Sequence, residues 1–341
     1  MKVIAILSTR YAGSTLLDYM LGSHKSALSL TELRAFITGE RKPFSCKKCN
    51  PADSCPIYSP STTKKLLEIG PHSNLYRTIA EVSGANILID SSKNIPWFRS
   101  TLKGLVKADV LILHISKSPE EYGGSERSKY HKTSLRSVEE IGRKWWQVNS
   151  QILQFLSRSP YPSLTIRYRD LISNPTDTLT EILTVLGEKY EDGMEYFWKY
   201  DHHPLWGNKG TRSHISGTDS IPNRWMDESE LNKEIYRENH QRLFMDEKWK
   251  KLLTEKEVNG LYSIKRVSQL STILDYGNPF VEITKETRST KPRNVTQMVG
   301  LRYVLLVSSF HNFILKMTYI LKRVSSLQVL KEVYKKYRDK I

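Results

Sequence analysis

Cysteines and long hydrophobic runs are both scarce in this chain. Its 341 residues include 3 cysteines, too few for the disulfide framework of a small secreted domain. The most apolar stretch, residues 299–321, is interrupted by Arg302, His311 and Lys316, and its longest part without a basic residue or histidine has 8 residues, far fewer than the ~20 that span a bilayer. Near the start of the chain, Lys2 precedes an apolar run at residues 3–7 that is shorter than the core of a secretory signal. We therefore predict a cytoplasmic protein.

Acidic residues are the minority charge, and the excess of basic residues is concentrated at one end. The chain has 52 Lys+Arg against 36 Asp+Glu, a net charge of +16. Residues 285–341 alone contain 13 Lys/Arg and 3 Asp/Glu, so the remainder is only mildly basic. This distribution argues against a nucleic-acid groove on the main body. A basic tail instead suits peripheral contact with an anionic membrane surface, binding to a partner helix, or packing on the core.

Short apolar runs alternate with helical periodicity along most of the chain. The runs are bounded by polar residues, as buried parallel strands are, and they lie at residues 3–7, 86–90, 109–115 and 163–167. This alternation predicts a P-loop-like three-layer α/β/α fold with a central parallel sheet. The predicted organisation is an α/β domain over residues 1–270, a linker over 271–298 and a basic amphipathic helical tail over 299–341.

The first apolar run leads into a loop, Ser8–Ser14, and then into a helical pattern. A helix that begins there would direct free backbone N–H groups and the positive end of its dipole at one point. Gly13 permits close approach, Ser14 and Thr15 have hydroxyl donors, and Arg10 offers a fork of donors for an anion. The same residues also fit an ordinary strand–helix turn with a capping serine.

Two familiar nucleotide-binding motifs are missing from this loop. A Walker A sequence needs a Lys before its final Ser or Thr, whereas Gly13 precedes Ser14 here. The glycine pattern Gly-x-Gly-x-x-Gly of dinucleotide-binding folds is missing as well. These absences disfavour a nucleoside triphosphatase and a dinucleotide-dependent Rossmann enzyme.

The loop Ser8-Thr-Arg-Tyr-Ala-Gly-Ser-Thr-Leu-Leu17 resembles the 5′-phosphosulfate loop of sulfotransferases that use 3′-phosphoadenosine-5′-phosphosulfate (PAPS). Further segments resemble this family in the same order along the chain. They are Lys117 with Ser125 eight residues later, Ile166–Pro175, Trp206–Arg212 and Asp246–Trp249. Several matches in the family's order are more specific than the loop alone.

The resemblance implies a PAPS-binding site and a set of residues that form it. These are Arg10, Ala12, Gly13, Ser14, Thr15, Leu16, Lys117, Ser125, Tyr168, Lys209 and Arg212. Lys117 stands where the family usually has Arg, so it would meet the 3′-phosphate as a point charge without a bidentate fork. Arg169 likewise stands where Glu is usual. The family as a rule needs no metal for the transfer, so no metal is predicted as a cofactor.

Three residues are predicted to carry the chemistry. Glu32 follows the first helix near a strand end, and it is the candidate base because related sulfotransferases have a Glu at the matching place. Lys93 resembles the Lys of the family's Asp-Ser-Ser-Lys stretch, and it would stabilise the leaving oxygen together with Arg10. Solvated surface positions are the alternative interpretation of Glu32 and Lys93. His24 is an alternative base, and His202–His203 are alternative acceptor-site residues or loop packing.

Cys46, Cys49 and Cys55 form a local cluster whose role the sequence leaves open. A C-x₂-C pair is half of a common zinc site, but the usual second pair is missing, so the third cysteine and His72 would have to complete it. A disulfide, unligated thiols and a loop at the mouth of the acceptor site are the other possibilities.

Together these patterns predict a sulfotransferase that moves a sulfuryl group from PAPS to a hydroxyl on a sugar, glycolipid or small molecule. The predicted reaction is an in-line displacement with Glu32 as the base. A nucleotide or sugar kinase with a degenerate phosphate loop is the alternative enzyme, although no Walker-type lysine or Mg²⁺ ligands can be placed for it. A nucleic-acid or anionic-surface binding protein is the alternative outside the enzymes.

Overall fold

The computed structural model of the chain describes residues 1–41, 46–49, 51, 54–129, 136–215 and 230–280. The chain divides into two units, Met1–Thr284 and Lys285–Ile341. The predicted basic tail, residues 299–341, falls within the second unit and lies outside the described residues. Among the helices that are described, none is both long and apolar enough to cross a membrane.

Five parallel strands form the centre of the first unit. They are β1 (Lys2–Ser8), β2 (Ala27–Thr31), β3 (Ile87–Asp90), β4 (Val110–Ser116) and β5 (Ser163–Arg167), in the spatial order β2-β3-β1-β4-β5. Four of them lie where the apolar runs predict strands. The sequence signal for β2 is weaker because Ser29 and Thr31 alternate with its apolar residues. Ser29 faces α1, where Gly22 comes so close that a Cβ there would lie 2.8 Å from that of Ser29.

Helices of the described residues lie between and after these strands. In chain order they are α1 (Ser14–Gly22), α2 (Leu33–Ile37), α3 (Pro60–Ile69), α4 (Asn74–Ser83), α5 (Ile95–Thr101), α6 (Pro119–Lys129), α7 (Val138–Leu156), α8 (Tyr168–Ser173), α9 (Pro175–Val185), α10 (Lys209–Arg212), α11 (Glu230–Glu238), α12 (Trp249–Leu252), α13 (Glu255–Ser263) and α14 (Lys265–Ile273). Helices α3 and α4 are separate, although helical periodicity runs through residues 61–83, because Gly70 has a φ of 64° and a proline follows it.

The apolar core lies on both faces of the sheet. Ile4 and Ile6 of β1 pack in one cluster with α1 and α9, whereas Val3 and Leu7 pack in the other with α4, α5 and α7. This division follows from the strand period of two, and each such buried side chain stabilises the fold by roughly 1.5–3 kcal/mol. The predicted three-layer α/β/α fold with a central parallel sheet is thereby confirmed.

The last described residues pack on the body of the first unit. Helix α14 continues past residue 270, and Tyr276 beyond it is 4% exposed. The Tyr276 hydroxyl donates to the carbonyl of Ser116 at 2.8 Å. The predicted linker therefore begins with residues that contribute to the core.

The strand order creates a crevice at one edge of the sheet. Strands β1 and β4 are neighbours, and β1 continues into α1 on one face. Strand β4 continues into α6 and then α7, which packs on the opposite face. Ligands of open α/β folds bind outside the carboxyl ends of strands at such a divergence.

Candidate active site

A cleft of about 680 Å³ opens at the carboxyl ends of the strands. Every predicted site residue lines it except Ala12 and Arg212. Ala12 is fully buried, and the Arg212 guanidinium lies 5.8 Å from the ring centroid of Trp206, which does line the cleft. The lining has eight Lys/Arg and three Asp/Glu residues, so the cleft suits an anionic ligand.

The phosphate loop, residues 8–16, forms one end of this cleft. Gly13 is the N-cap residue of α1 and has a φ of 92°. It has no side chain that could accept from the free N–H groups of the first turn. The N–H of Leu17 donates to the Gly13 carbonyl at 3.0 Å, and the helix geometry gives the N–H groups of residues 14–16 no acceptor within the helix. A Cβ at Gly13 would lie 2.6 Å from the ring of Tyr168. Only glycine fits between this ring and the helix start.

A second loop lies directly on the phosphate loop. The N–H of Asn208 donates to Oγ1 of Thr15 at 3.1 Å. Gly207 has a φ of 118°, and a Cβ on it would lie 2.8 Å from Cγ2 of Thr15. This contact brings the Trp206–Arg212 motif to the helix start, and Lys209 adds a positive charge to the cleft lining.

Glu32 and Lys93 meet at the ends of β2 and β3. The Lys93 Nζ lies 2.5 Å from Oε1 of Glu32, and both side chains are partly exposed to the cleft. Lys93 has a φ of 56° and Thr31, which precedes Glu32, has a φ of 54°. Tyr11 in the phosphate loop also has a positive φ, of 64°. Strained backbone of this kind persists only where the surrounding structure holds it, and it is concentrated at functional sites.

The other end of the cleft, here called the β4 corner, consists of Lys117, Ser125, Asp246 and Lys248. Lys117 is 3% exposed, and its Nζ donates to Oδ2 of Asp246 at 2.8 Å. Lys248 Nζ lies 3.3 Å from the same oxygen. Burial opposes ionisation of Asp246, but Lys117 and Lys248 outweigh it and lower its pKa to about 2. Two cations thus share one carboxylate, which leaves this corner positive.

Lys117 and Ser125 of the β4 corner were predicted from the sequence, whereas Lys248 was not. Ser125 lines the cleft, and its hydroxyl donates to the carbonyl of Glu121 at 3.0 Å. The Lys117 ammonium also lies 4.3 Å from the ring centroid of Tyr168, so this ring separates the two ends of the cleft. Lys248 was missed although it lies inside the Asp246–Trp249 motif, because the resemblance assigns no role to its position.

The replacement of the usual Glu by Arg169 has a structural counterpart. The Arg169 guanidinium lies 3.7 Å from carboxylate oxygens of both Glu120 and Glu121 at the start of α6. Burial raises the pKa of Glu120. The exchanged charge is therefore balanced within this protein by the two glutamates.

None of the three alternative histidines lines the cleft. His24 is 5% exposed, and its Nδ1 accepts from the N–H of Ser26 at 3.2 Å. His202 is also buried, which lowers its pKa to about 4, and its Nε2 lies 3.0 Å from the carbonyl of Phe197. Both side chains belong to the packing of loops.

The three cysteines are free thiols that meet at a histidine. Cys46, Cys49 and Cys55 converge on Nδ1 of His203. His72, the partner considered from the sequence, instead accepts the N–H of Asn74 at 3.2 Å. The long separation along the chain hid His203 from pattern reasoning.

No family model and no curated protein matches this chain. Among solved structures, it is similar to the sulfotransferase domain from the curacin biosynthetic pathway, with 17% identity over 82% of this chain and 99% of that one, at a TM-score of 0.51. A sulfotransferase domain from the Synechococcus PCC 7002 olefin synthase has 16% identity over 70% of this chain and 93% of that one, at a TM-score of 0.47. The first likeness shows that the chain has the fold of a sulfotransferase domain.

Proposed function

We propose that this protein is a PAPS-dependent sulfotransferase that acts on a hydroxyl acceptor. The observation that carries the proposal is that one basic cleft combines the phosphate loop with the β4 corner. PAPS has an anionic group at each of two positions of its ribose, a phosphosulfate at the 5′ carbon and a phosphate at the 3′ carbon. Two separate positive ends of one cleft suit such a ligand.

The phosphate loop is the proposed site of the 5′-phosphosulfate. Backbone N–H groups at a helix start bind oxyanions without a charged side chain, and Arg10 and the hydroxyls of Ser14 and Thr15 add donors. The β4 corner is the proposed site of the 3′-phosphate. There the two positive charges of Lys117 and Lys248 face the single negative charge of Asp246, and a bound phosphate would neutralise the excess.

The proposed reaction is an in-line displacement at sulfur. The acceptor oxygen forms a bond to sulfur while the bond from sulfur to the 5′-phosphate oxygen breaks, and the electron pair of that bond stays on the phosphate. Glu32 takes the acceptor proton, which contributes a factor of about 10²–10⁴ in rate. Lys93 and Arg10 meet the charge that develops on the leaving oxygen. The products are a sulfate ester and adenosine 3′,5′-bisphosphate.

The Glu32–Lys93 ion pair supports these two roles. A base must lie within about 3 Å of the proton that it takes, and the pair holds the carboxylate toward the cleft. An anionic donor in the cleft competes with Glu32 for the Lys93 ammonium. Binding of the donor thereby frees the carboxylate for the acceptor hydroxyl.

Calorimetric titration of the full chain tests the nucleotide assignment. We expect adenosine 3′,5′-bisphosphate to bind more tightly than adenosine 5′-monophosphate by roughly 1.5–3 kcal/mol, as a charge-assisted hydrogen bond contributes. Lys117→Met should abolish this difference and leave the monophosphate affinity unchanged. Equal affinities for the two nucleotides in the unmodified protein would contradict the 3′-phosphate site. Preferential binding of ATP with Mg²⁺ would favour the kinase alternative.

A further inference from the structure

The side chains of Cys46, Cys49, Cys55 and His203 offer four ligand atoms that all lie within 4.8 Å of one another. The distances from His203 Nδ1 to the sulfurs are 3.8 Å for Cys46, 3.4 Å for Cys49 and 3.5 Å for Cys55. Cys46 and Cys55 are buried and Cys49 is half-buried. None of the four residues lines the cleft, so the cluster is separate from the proposed chemistry.

These distances are those of a tetrahedral metal site. Zinc binds cysteine sulfur at about 2.3 Å and histidine nitrogen at about 2.1 Å, which at tetrahedral angles puts sulfur and nitrogen about 3.6 Å apart. The observed distances of 3.4–3.8 Å lie on both sides of that value. The spacing of the three thiols around one ring nitrogen therefore matches four donors around one centre.

Groups around the cluster orient its ligand atoms as they do around bound metals. The second ring nitrogen of His203 lies 3.7 Å from a carboxylate oxygen of Asp201, and metal-binding histidines commonly have a carboxylate on this side of the ring. The N–H of Lys48 donates to Cys46 Sγ at 3.4 Å, and that of Tyr58 donates to Cys55 Sγ at 3.4 Å. N–H donors of this kind stabilise thiolates, the form in which cysteine binds zinc.

We propose that Cys46, Cys49, Cys55 and His203 bind one zinc ion in a closed, structural site. Four protein ligands complete a tetrahedron and leave no position for water or substrate, as in structural rather than catalytic zinc sites. Thiolate and imidazole donors together favour zinc over magnesium or calcium, which prefer oxygen ligands.

The site joins two segments that border the cleft. The segment with the cysteines follows Arg41, whose guanidinium lies 4.3 Å from the ring centroid of Trp206. The N–H of Lys47 also donates to the carbonyl of Pro204 at 2.8 Å. Zinc at His203 therefore fixes the start of the loop that reaches the phosphate loop through Asn208.

Metal content of the full chain, purified without a histidine tag, gives the first test. We expect one zinc per chain by mass spectrometry of the metal. Its X-ray absorption spectrum should contain three sulfur ligands at about 2.3 Å and one nitrogen at about 2.0–2.1 Å. Replacement by Co²⁺ should give the visible bands of a tetrahedral thiolate complex.

Matched histidine variants give the second test. His203→Ala should retain about tenfold less zinc than the unmodified protein, because loss of one of four ligands opens the site. His72→Ala removes the exposed histidine near the cluster in sequence, and it should retain full zinc content. Equal zinc in both variants would contradict the assignment of His203.

A different metal content or a different state of the three thiols would overturn the proposal. Metal-free protein with three alkylatable thiols would exclude the site, and so would a mass lower by two hydrogens that reveals a disulfide. Another metal at full occupancy would exclude zinc. If His203→Ala fails to fold, the absorption spectrum of the unmodified protein still decides between these outcomes.

Discussion

The two ends of the cleft are built from different parts of the chain. At the phosphate loop, the groups available to an anion are mainly backbone N–H groups of consecutive residues, and their placement depends on Gly13. At the β4 corner they are charged side chains, and Lys117 is 129 residues away from Asp246. The first end depends on local backbone geometry. The second depends on the tertiary fold, and its charges depend on one another.

Glu32 lies outside both ends of the cleft, so Glu32→Gln should separate chemistry from binding. The variant keeps the shape of the side chain but removes the base. We expect turnover to fall by about 10²–10⁴-fold, with little change in affinity for adenosine 3′,5′-bisphosphate. Turnover of PAPS with a panel of sugar and phenol acceptors is the measurement. Near-normal turnover would refute the base assignment.

Asp246→Ala tests the β4 corner. It leaves two buried ammonium groups without their carboxylate, so we expect the free energy of unfolding in urea to fall by about 3–5 kcal/mol. Adenosine 3′,5′-bisphosphate should restore more stability to this variant than to the unmodified protein, because its 3′-phosphate replaces the carboxylate. Glu247→Ala is the matched control, since Glu247 is exposed and pairs only with exposed Lys250 among the described contacts. An equal gain for both proteins would place the 3′-phosphate elsewhere.

Gly13→Ala tests the phosphate loop. The new Cβ would lie 2.6 Å from the ring of Tyr168 in a backbone with a φ of 92°, and we expect affinity for the bisphosphate to fall by at least about tenfold, as 1.4 kcal/mol of strain produces. Gly84→Ala is the control, because its φ is 72° but a Cβ there meets open space. Calorimetry should find unchanged affinity in the control. Unchanged affinity in both variants would exclude close approach of a ligand at Gly13.

Asp18 lies in α1, just after the phosphate loop, and it should make the stability of the protein depend on pH. Burial raises the pKa of this carboxyl to about 7, against the lowering influence of Ser29 and Ser91. Its folded-state pKa lies above its unfolded value, so it binds a proton in the folded state and stability falls as pH rises from about 4 to 7. Asp18→Asn should remove this slope, so its stability advantage over the unmodified protein should grow by about 1.4 kcal/mol per pH unit between pH 5 and 7. If urea unfolding gives the same difference in free energy between the two proteins at every pH, the prediction is wrong.

The difference between the two ends also explains what the sequence could predict. The phosphate loop is one continuous segment, so its motif was enough to predict which of its residues line the cleft. Ala12 is the exception, because it is buried. Lys117 was predicted, but its pairing with Asp246 and the presence of Lys248 depend on tertiary contacts. The same limit applies to His203, which is 148 residues from Cys55. Strand β2 was obscured because small polar residues can be buried beside a closely packed helix.

The positive φ values of Tyr11, Thr31 and Lys93 have a consequence for protein engineering. A β-branched or long side chain in this region costs roughly 1–2 kcal/mol relative to glycine, so glycine would relieve this strain, but it would also remove the contacts of Thr31 with Trp206 and of Lys93 with Glu32. The same exchange would loosen the backbone that directs Glu32 and the phosphate loop toward the cleft. The backbone strain at these three positions therefore belongs to the shape of the cleft, and engineering for stability would keep the three residues fixed.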